Sequence, residues 1–276
     1  MLNVKMKFFT LHGALLVGSL LLTGLCCQGA LPSDEALPAA SKVMQRVVER
    51  AHDATLARGA NNYAFEKHSI TEELDASGKA TKTIDETYDV IPIEGIPFSR
   101  LVKMGNRDLT QEEIEAQNRK ELEFRERVAR TGAKPVGRRR RNWLDARMVD
   151  RFDFTMEGRE TLHGRPVLML SFLPKANHAS TRTIEDRVLN KLAGTLWVDE
   201  TEAEIAKLSV GLTTDLSFGF FGAVGSLKQF DLKLDRERLA DGLWVTQRQD
   251  LVLGGRKVFS SMAHRTLEES TNFRKP

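Results

Sequence analysis

Residues with the chemistry for catalysis or metal binding are few and scattered in this sequence of 276 residues. No two histidines stand three or four positions apart, which removes support for a metal site of the HExxH type. The sequence also lacks a G-x-S-x-G elbow, a Walker phosphate loop and a G-x-G-x-x-G motif after a strand. The adjacent acids Asp85–Glu86 and Asp199–Glu200 fall on predicted strand ends, where neighbouring side chains usually point apart. We therefore predict no catalytic residue, no metal site and no cofactor.

The first 29 residues have the pattern of an export signal. Two lysines precede a short apolar run, Leu11 to Leu25, and small residues follow it. This order predicts a secretory signal peptide over residues 1–29, cleaved near Gly29 or Ala30, with residues 30–38 as a spacer. The predicted location of the mature protein is therefore the periplasm.

Both cysteines, Cys26 and Cys27, stand at the end of this run and raise lipoprotein anchoring as an alternative. A lipobox needs Leu three positions before the modified cysteine and a small residue directly before it. The bulky Leu25 stands directly before Cys26 and two positions before Cys27, so neither register fits. Outer-membrane anchoring is thus the less favoured alternative. Cleavage would leave a protein without cysteine, which excludes a disulfide scaffold, a cysteine zinc site and a cysteine nucleophile.

The charge of the chain argues against nucleic acid as a partner. There are 41 Lys and Arg against 38 Asp and Glu, a net charge of +3, and two of the positive charges lie in the predicted signal. With 41% hydrophobic and 29% charged residues, the remainder fits neither a disordered tail nor a protein with several membrane spans. We predict a single domain over residues 39–276.

The strongest local charge is a run of four arginines, Arg138, Arg139, Arg140 and Arg141, followed by Trp143. Such a run could bind phosphate, and in an exported protein anionic lipid headgroups are the expected source. The favoured alternative is a solvated loop whose charge is balanced by nearby acids, because no nucleic-acid-binding module surrounds the run.

Two helices are predicted before residue 132. The first begins near Ala40 and carries an apolar stripe, Ala40, Val43, Met44, Val47, Val48 and Ala51, which favours a helix packed on a sheet over one lying on a membrane. The second opens with a capping box at Thr110–Glu113 and forms a helical insertion at about residues 110–131. Most of its residues are charged, so we expect it to lie at the surface.

The rest of the chain alternates with a period of two and is rich in turn residues. Tyr63–Leu74 and Lys79–Ile91 predict a hairpin, and we expect Pro92, Gly95 and Pro97 to interrupt the chain after it. Successive strands follow from residue 152, for about eight in all. The predicted fold class is α+β, a curved antiparallel sheet forming a half-barrel, with the N-terminal helix and further helices over its concave face.

One face of this sheet is predicted to be apolar and to line a ligand cavity, because a single helix is too narrow to cover it. The cavity candidates on strands are Leu168, Leu170, Phe172, Phe230, Leu232 and Leu234. The segment Phe218–Val224, with Phe218, Phe220 and Phe221, is predicted to lie near the cavity mouth. The alternative is that these aromatic side chains fill the end of the core.

Three segments resemble exported bacterial proteins grouped near the LolA-like superfamily of periplasmic lipoprotein carriers. They are Ile93–Val102, Gly158–Arg159 with Gly164–Pro166, and Leu189–Glu200, and the similarity covers most of residues 40–272. The resemblance implies a half-barrel closed by helices with a hydrophobic cavity for acyl chains. It implies no catalytic residue, and the charged helix at 110–131 and the arginine run have no obvious counterpart in the carriers.

These observations predict a non-catalytic periplasmic binding protein for lipid or lipoprotein acyl chains, with contact to a membrane surface as a further expectation. The alternative is an envelope interaction or stress-sensing protein that uses the same half-barrel as a scaffold for protein or lipid. An added partner-binding domain would favour the alternative, and none is visible in the sequence.

Overall fold

A computed structural model describes residues 36–52, 62–131, 146–176, 183–218, 225–257 and 260–275. The chain divides into two units, residues 1–36 and 37–276, and every described element belongs to the second unit. The predicted signal peptide and the arginine run lie outside the described residues. None of the helices in the described ranges combines the length and the hydropathy needed to cross a bilayer.

The described helices and strands follow the predicted order. The helices are α1 Ala40–Ala51, α2 Gln111–Thr131, α3 Ala146–Val149 and α4 Ile184–Leu189. The strands are β1 Ala64–Leu74, β2 Ala80–Ile93, β3 Ile96–Met104, β4 Arg107–Asp108, β5 Phe152–Leu162, β6 Arg165–Pro174, β7 Leu192–Asp199, β8 Ile205–Leu212, β9 Leu216–Phe218, β10 Gly225–Arg238, β11 Trp244–Lys257 and β12 Ser260–Arg274.

The strands form one antiparallel sheet in the order β4-β3-β2-β1-β12-β11-β10-β8-β7-β6-β5, with β9 paired to β10. Strands β4 and β5 are the two ends of this order, so the sheet is open within the described residues. The predicted α+β class with an antiparallel sheet is confirmed. The sheet has twelve strands rather than about eight, because β3 continues the first hairpin and two short strands, β4 and β9, extend it.

The turn at residues 94–95 lies where the sequence predicts an interruption. We expected Pro92, Gly95 and Pro97 to interrupt the chain, and the structure has a turn there of only two residues, because β2 and β3 form a tight hairpin around Glu94 and Gly95, both with positive φ. Pro92 pairs with Pro97 beyond the last residue of β2 that pairs with β1. A proline is tolerated there because its missing N–H removes no hydrogen bond to another strand.

Helix α1 packs on the half of the sheet formed by β5, β6, β7, β8 and β10. Its stripe residues Val43, Met44 and Val47 are buried, and they contact a core cluster that includes Leu168 and Leu170. The prediction of a helix laid on a sheet is confirmed.

Helix α2 packs at the opposite edge of the sheet, on β3. Phe124 contacts Phe98 with 5.1 Å between ring centroids, and Arg100 donates hydrogen bonds to Glu121 and Asn118. The predicted capping box is present, because Thr110 Oγ1 accepts from the N–H of Glu113 while the Glu113 carboxylate accepts from the N–H of Thr110. The helix lies at the surface as predicted, with only Gln117 and Val128 buried.

Candidate functional site

The strand register places residues of nine neighbouring strands in one row across the sheet, from β5 to β2. Paired residues of an antiparallel sheet share a face, so this row lies on a single face. From β5 to β11 the row has five large apolar residues and one glycine, which lies on β7. Its last three members are two threonines and an isoleucine. The row is Phe154, Phe172, Gly194, Val210, Leu232, Leu251, Thr266, Thr71 and Ile84.

A second row, two residues further along the strands, shows where the face changes character. It is apolar from β5 to β10, polar from β11 to β2, and ends on a methionine of β3. The row is Met156, Leu170, Leu196, Leu208, Leu234, Gln249, Glu268, Ser69, Glu86 and Met104. The apolar half of the face therefore ends at β10, except where Leu251 continues the first row by one strand.

Helix α1 covers the centre of the apolar half but not its margins. Leu168 and Leu170 are 1% and 0% exposed beneath the helix, and Phe172 is also buried. Phe230, Leu232 and Leu234 on β10 pack against the same cluster but are only partly buried. Six of the predicted cavity residues thus share one face, and the three on β10 are those that remain accessible.

At the other margin of α1, a groove of about 550 Å³ runs between the helix, α3 and the start of β5. Its apolar lining consists of Met44, Val48, Val149, Phe152 and Phe154. The polar lining residues are Ser41, Gln45, Glu49, Asp150, Asp153 and Lys175. Phe154 is also the first member of the apolar row, so the groove continues the surface on which α1 packs.

A cluster of ion pairs fixes the C-terminal end of α1 to the turn between β7 and β8. Arg50 Nε lies 3.1 Å from Glu204 Oε1 and Arg50 Nη2 lies 3.7 Å from Glu202 Oε2. Arg46 Nη2 donates to the carbonyl oxygens of Glu200 and Thr201 at 3.2 and 3.1 Å. On β10, Arg236 and Arg238 pair with the same two glutamates, Glu204 and Glu202, at 2.8 and 2.6 Å. We call this group the α1 anchor.

Asp199, one of the paired acids noted in the sequence, supports the same turn. Its fully buried carboxylate accepts two hydrogen bonds from Arg165, at 2.6 and 3.0 Å, and further bonds from the N–H groups of Thr201 and Glu202. Burial raises the pKa of Asp199, but the hydrogen bonds from Arg165 and the backbone outweigh it and hold the pKa below its usual value. A carboxylate satisfied in this way orders the turn and is poorly placed for acid–base chemistry.

The polar half of the face holds a partly buried charged group on β12, β1 and β2. Lys67 Nζ lies 2.9 Å from Glu268 Oε1 and 5.0 Å from the centre of the Tyr88 ring. The Tyr88 hydroxyl donates to Glu86 at 2.6 Å, and burial with this contact raises the pKa of Tyr88. These side chains satisfy one another, which favours a structural role. Among the described residues, no group of three His, Cys, Asp or Glu could hold a metal ion.

Of the predicted mouth segment, only Phe218 lies within the described residues. It ends β9 and is half-buried, with the Arg187 guanidinium 5.4 Å from its ring centre. Arg187 Nη2 also donates to the carbonyl of Ser217 at 2.6 Å. Phe220 and Phe221, like Arg138, Arg139, Arg140 and Arg141, lie outside the described residues.

The groove was not identified from the sequence. Phe152 and Phe154 alternate on a predicted strand, and Met44 and Val48 belong to the predicted stripe, so each was visible as an apolar residue. The alternation of apolar residues predicts that these side chains are buried. It cannot show that a groove remains between α1 and the start of β5.

Comparison with known proteins gives similarity in fold. No protein-family model matches the chain and no similar curated protein was found. Among solved structures, an outer-membrane lipoprotein-sorting domain from Vibrio parahaemolyticus is 12% identical, with 86% of this chain and 93% of that chain covered and a TM-score of 0.32. A LolA superfamily protein from Nitrosomonas europaea is 8% identical, with 87% and 94% covered and a TM-score of 0.27. MucB in complex with MucA from Pseudomonas aeruginosa is 10% identical, with 85% and 98% covered and a TM-score of 0.25.

At these identities the likeness concerns the fold alone.

Proposed function

We propose that this chain is an exported, non-catalytic binding protein for the acyl chains of lipids or lipoproteins, and that the ligand lies in the groove beside α1. The observation that carries the proposal is the apolar surface on both sides of this helix. One side is the groove lined by Met44, Val48 and Phe154, and the other is the partly exposed strip of Phe230, Leu232 and Leu234.

The size of the groove suits a single acyl chain. Sites for small ligands typically have volumes of about 300–1,000 Å³ and are lined mostly by apolar side chains. The groove has about 550 Å³, and five aromatic and aliphatic residues line it beside six polar ones. An acyl chain gains free energy from each methylene group that leaves water, about 0.8 kcal/mol, without needing a polar partner.

The strip on β10 suits the same kind of ligand. From Leu232 the first row continues through Leu251 to Thr266, Thr71 and Ile84. These residues span four strand spacings, a distance of about 19 Å at the usual separation of strands. A narrow track of aliphatic groups and threonine methyls beside a polar row favours a long, thin apolar ligand over a compact one.

The proposal is tested by titrating the purified protein with a fluorescent long-chain fatty acid. We expect saturable binding that weakens at least about fivefold in Val48→Trp, because the indole ring, larger than the valine side chain, would fill the groove. Val102→Trp on β3 is the matched control, since Val102 is an exposed valine at the far edge of the sheet. Circular dichroism and the unfolding midpoint of both variants verify that α1 remains packed.

Native mass spectrometry of the purified protein provides a second readout, in which a co-purified lipid would appear as a mass increment. Absence of both saturable binding and a bound lipid would overturn the acyl-chain proposal. An interaction scaffold, with protein as its ligand, would then be the better account of the apolar face.

A further inference from the structure

The most exposed large apolar side chains of the described residues lie mostly at one end of the sheet, and four less exposed ones, Ile84, Val102, Met104 and Ile114, lie on β2, β3 and α2. Among the described residues, five large apolar side chains are more than 40% exposed: Leu37, Leu122, Leu173, Ile184 and Met262. Leu173 is the penultimate residue of β6, Ile184 begins α4, and Met262 is the third residue of β12. Leu37 stands three positions before α1. Four of the five therefore lie where β6 ends, β12 begins and α1 begins.

These positions belong to one end of the sheet. In an antiparallel sheet the end of β6 lies beside the starts of β5 and β7, and the register continues this end to the start of β12. Met44 contacts the core cluster together with Phe152, the first residue of β5, so α1 also begins here. We call this the apolar end of the sheet.

The opposite end has a different surface. The α1 anchor lies there, with Arg50, Glu202 and Glu204, and Lys275 pairs there with Asp241 at 2.9 Å. Charged side chains of both signs pair with one another at this end, whereas the apolar end combines the ion pair of Arg151 with Asp186 and solvent-exposed leucine, isoleucine and methionine side chains. Each of these apolar side chains would gain free energy on leaving water.

We propose that the apolar end docks on the surface of a lipid bilayer, with Leu173, Ile184 and Met262 inserted among the lipids. This inference goes beyond acyl-chain binding, because it concerns where the protein contacts a membrane. Leu173 and Met262 are too widely separated to form together the centre of a protein interface. Strands β7, β8, β10 and β11 lie between Leu173 and Met262, a separation of about 24 Å at the usual strand spacing.

A stable protein interface needs a contiguous, close-packed patch of about 800 Å² on each partner. A bilayer accepts isolated apolar side chains, because fluid lipid closes around each one separately. Lys175, a basic residue of the same end, has a side chain long enough to reach headgroups while its stem stays against apolar surface. The groove beside α1 lies at this end too, since its lining includes Phe152 and Lys175.

The experiment measures flotation of the purified protein with neutral phosphatidylcholine vesicles at high salt, where electrostatic attraction is screened. Leu173→Gln is compared with Leu122→Gln, a matched pair because the two leucines are 60% and 59% exposed. We expect Leu173→Gln to lower the partition coefficient about fivefold and Leu122→Gln to leave it unchanged. The triple variant Leu173→Gln, Ile184→Gln and Met262→Gln should lose more than about thirtyfold.

Absence of flotation of the unsubstituted protein would overturn the proposal, and so would an equal loss in the two leucine variants. The fatty-acid titration without vesicles separates this inference from the proposed function. The triple variant should bind fatty acid normally, because its three residues do not line the groove. Fatty-acid binding without flotation would support acyl-chain binding and overturn the docking proposal. Flotation without fatty-acid binding would support the docking surface and contradict acyl-chain binding.

Discussion

Arg50 and Glu204 are 154 positions apart in sequence, and the Arg50 Nε donates to the Glu204 carboxylate at 3.1 Å. Both side chains are mostly buried, and the bond joins the last turn of α1 to the start of β8. Val43, Met44 and Val47 pack the rest of the helix on the sheet. The position of α1, and with it the width of the groove, depends on both contacts.

We expect Arg50→Ala to lower the free energy of unfolding by about 1 kcal/mol, since a partly buried ion pair is lost while Glu204 keeps its contact with Arg236. Urea unfolding measures the loss. Lys42→Ala is the control, because Lys42 is an exposed cation on the same helix. Equal stability of the two variants would show that the apolar stripe alone holds α1.

Gly194 lies in the row beneath α1, between Phe172 and Val210. A Cβ at this position would lie 2.0 Å from the carbonyl oxygen of Ser209 and 2.9 Å from Val210 Cα, both backbone atoms. We therefore expect Gly194→Ala to destabilise the protein by about 2–3 kcal/mol, measured by chemical denaturation.

Gly211→Ala is the control for this substitution. Its Cβ would meet the Asp231 carboxylate at 3.0 Å, and the end of a flexible side chain can move away. The control should cost less than about 1 kcal/mol. A small effect of Gly194→Ala would mean that β7 and β8 can separate without loss, contrary to the packing described above.

The Asp199 carboxylate predicts how stability depends on pH. Because the pKa of Asp199 is lower in the folded protein than in the unfolded chain, its contribution is present above the unfolded value of about 3.9 and is lost as pH falls through the folded value. We expect Asp199→Asn to lower the free energy of unfolding by about 2 kcal/mol at pH 7 and to reduce the loss of stability below about pH 4.

Urea unfolding at a series of pH values measures both effects. Asp153→Asn, which removes an exposed carboxylate near the start of β5, is the charge-matched control at pH 7. The prediction would be contradicted if, below about pH 4, the free energy of unfolding fell with the same slope in Asp199→Asn as in the unsubstituted protein.

The arginine run makes a separate prediction about anionic membranes. If Arg138, Arg139, Arg140 and Arg141 bind anionic headgroups, replacing all four with Gln should lower binding to anionic vesicles at low salt. The difference should fade with added salt, because exposed charges are screened over about 10 Å at 0.1 M. Unchanged binding at low salt would identify the run as a solvated loop.

The export signal predicts the first residue of the mature protein. We expect N-terminal sequencing of the exported protein to begin near Gly29 or Ala30, with no lipid attached. A diacylated Cys26 or Cys27 would instead identify a lipoprotein, and the bulky Leu25 before Cys26 would then be tolerated by the processing enzymes.

Local patterns were sufficient for most elements of this fold. The apolar stripe of α1, the capping box of α2 and the alternation of β10 each depend on residues close together in sequence, and each element is present in the structure. The hairpin at His163–Gly164 was also predictable, because its tight turn needs two residues that adopt positive φ. The interruption expected at Pro92, Gly95 and Pro97 is only the two-residue turn between β2 and β3, and the prolines are tolerated in these strands because they pair with each other beyond the part of β2 that pairs with β1.

The sequence by itself determined which apolar side chains lie together on one face of each strand, because the alternation of side chains between the two faces depends only on backbone geometry. Tertiary structure alone decided which strands lie side by side, where α1 crosses them, and hence that Leu170 is fully buried while Leu232 stays accessible. It also decided that Leu173, Ile184 and Met262 share one end of the sheet. Pairings such as β10 with β8, or Arg50 with Glu204, join residues distant in sequence, and such contacts depend on the whole chain folding at once rather than on any local pattern.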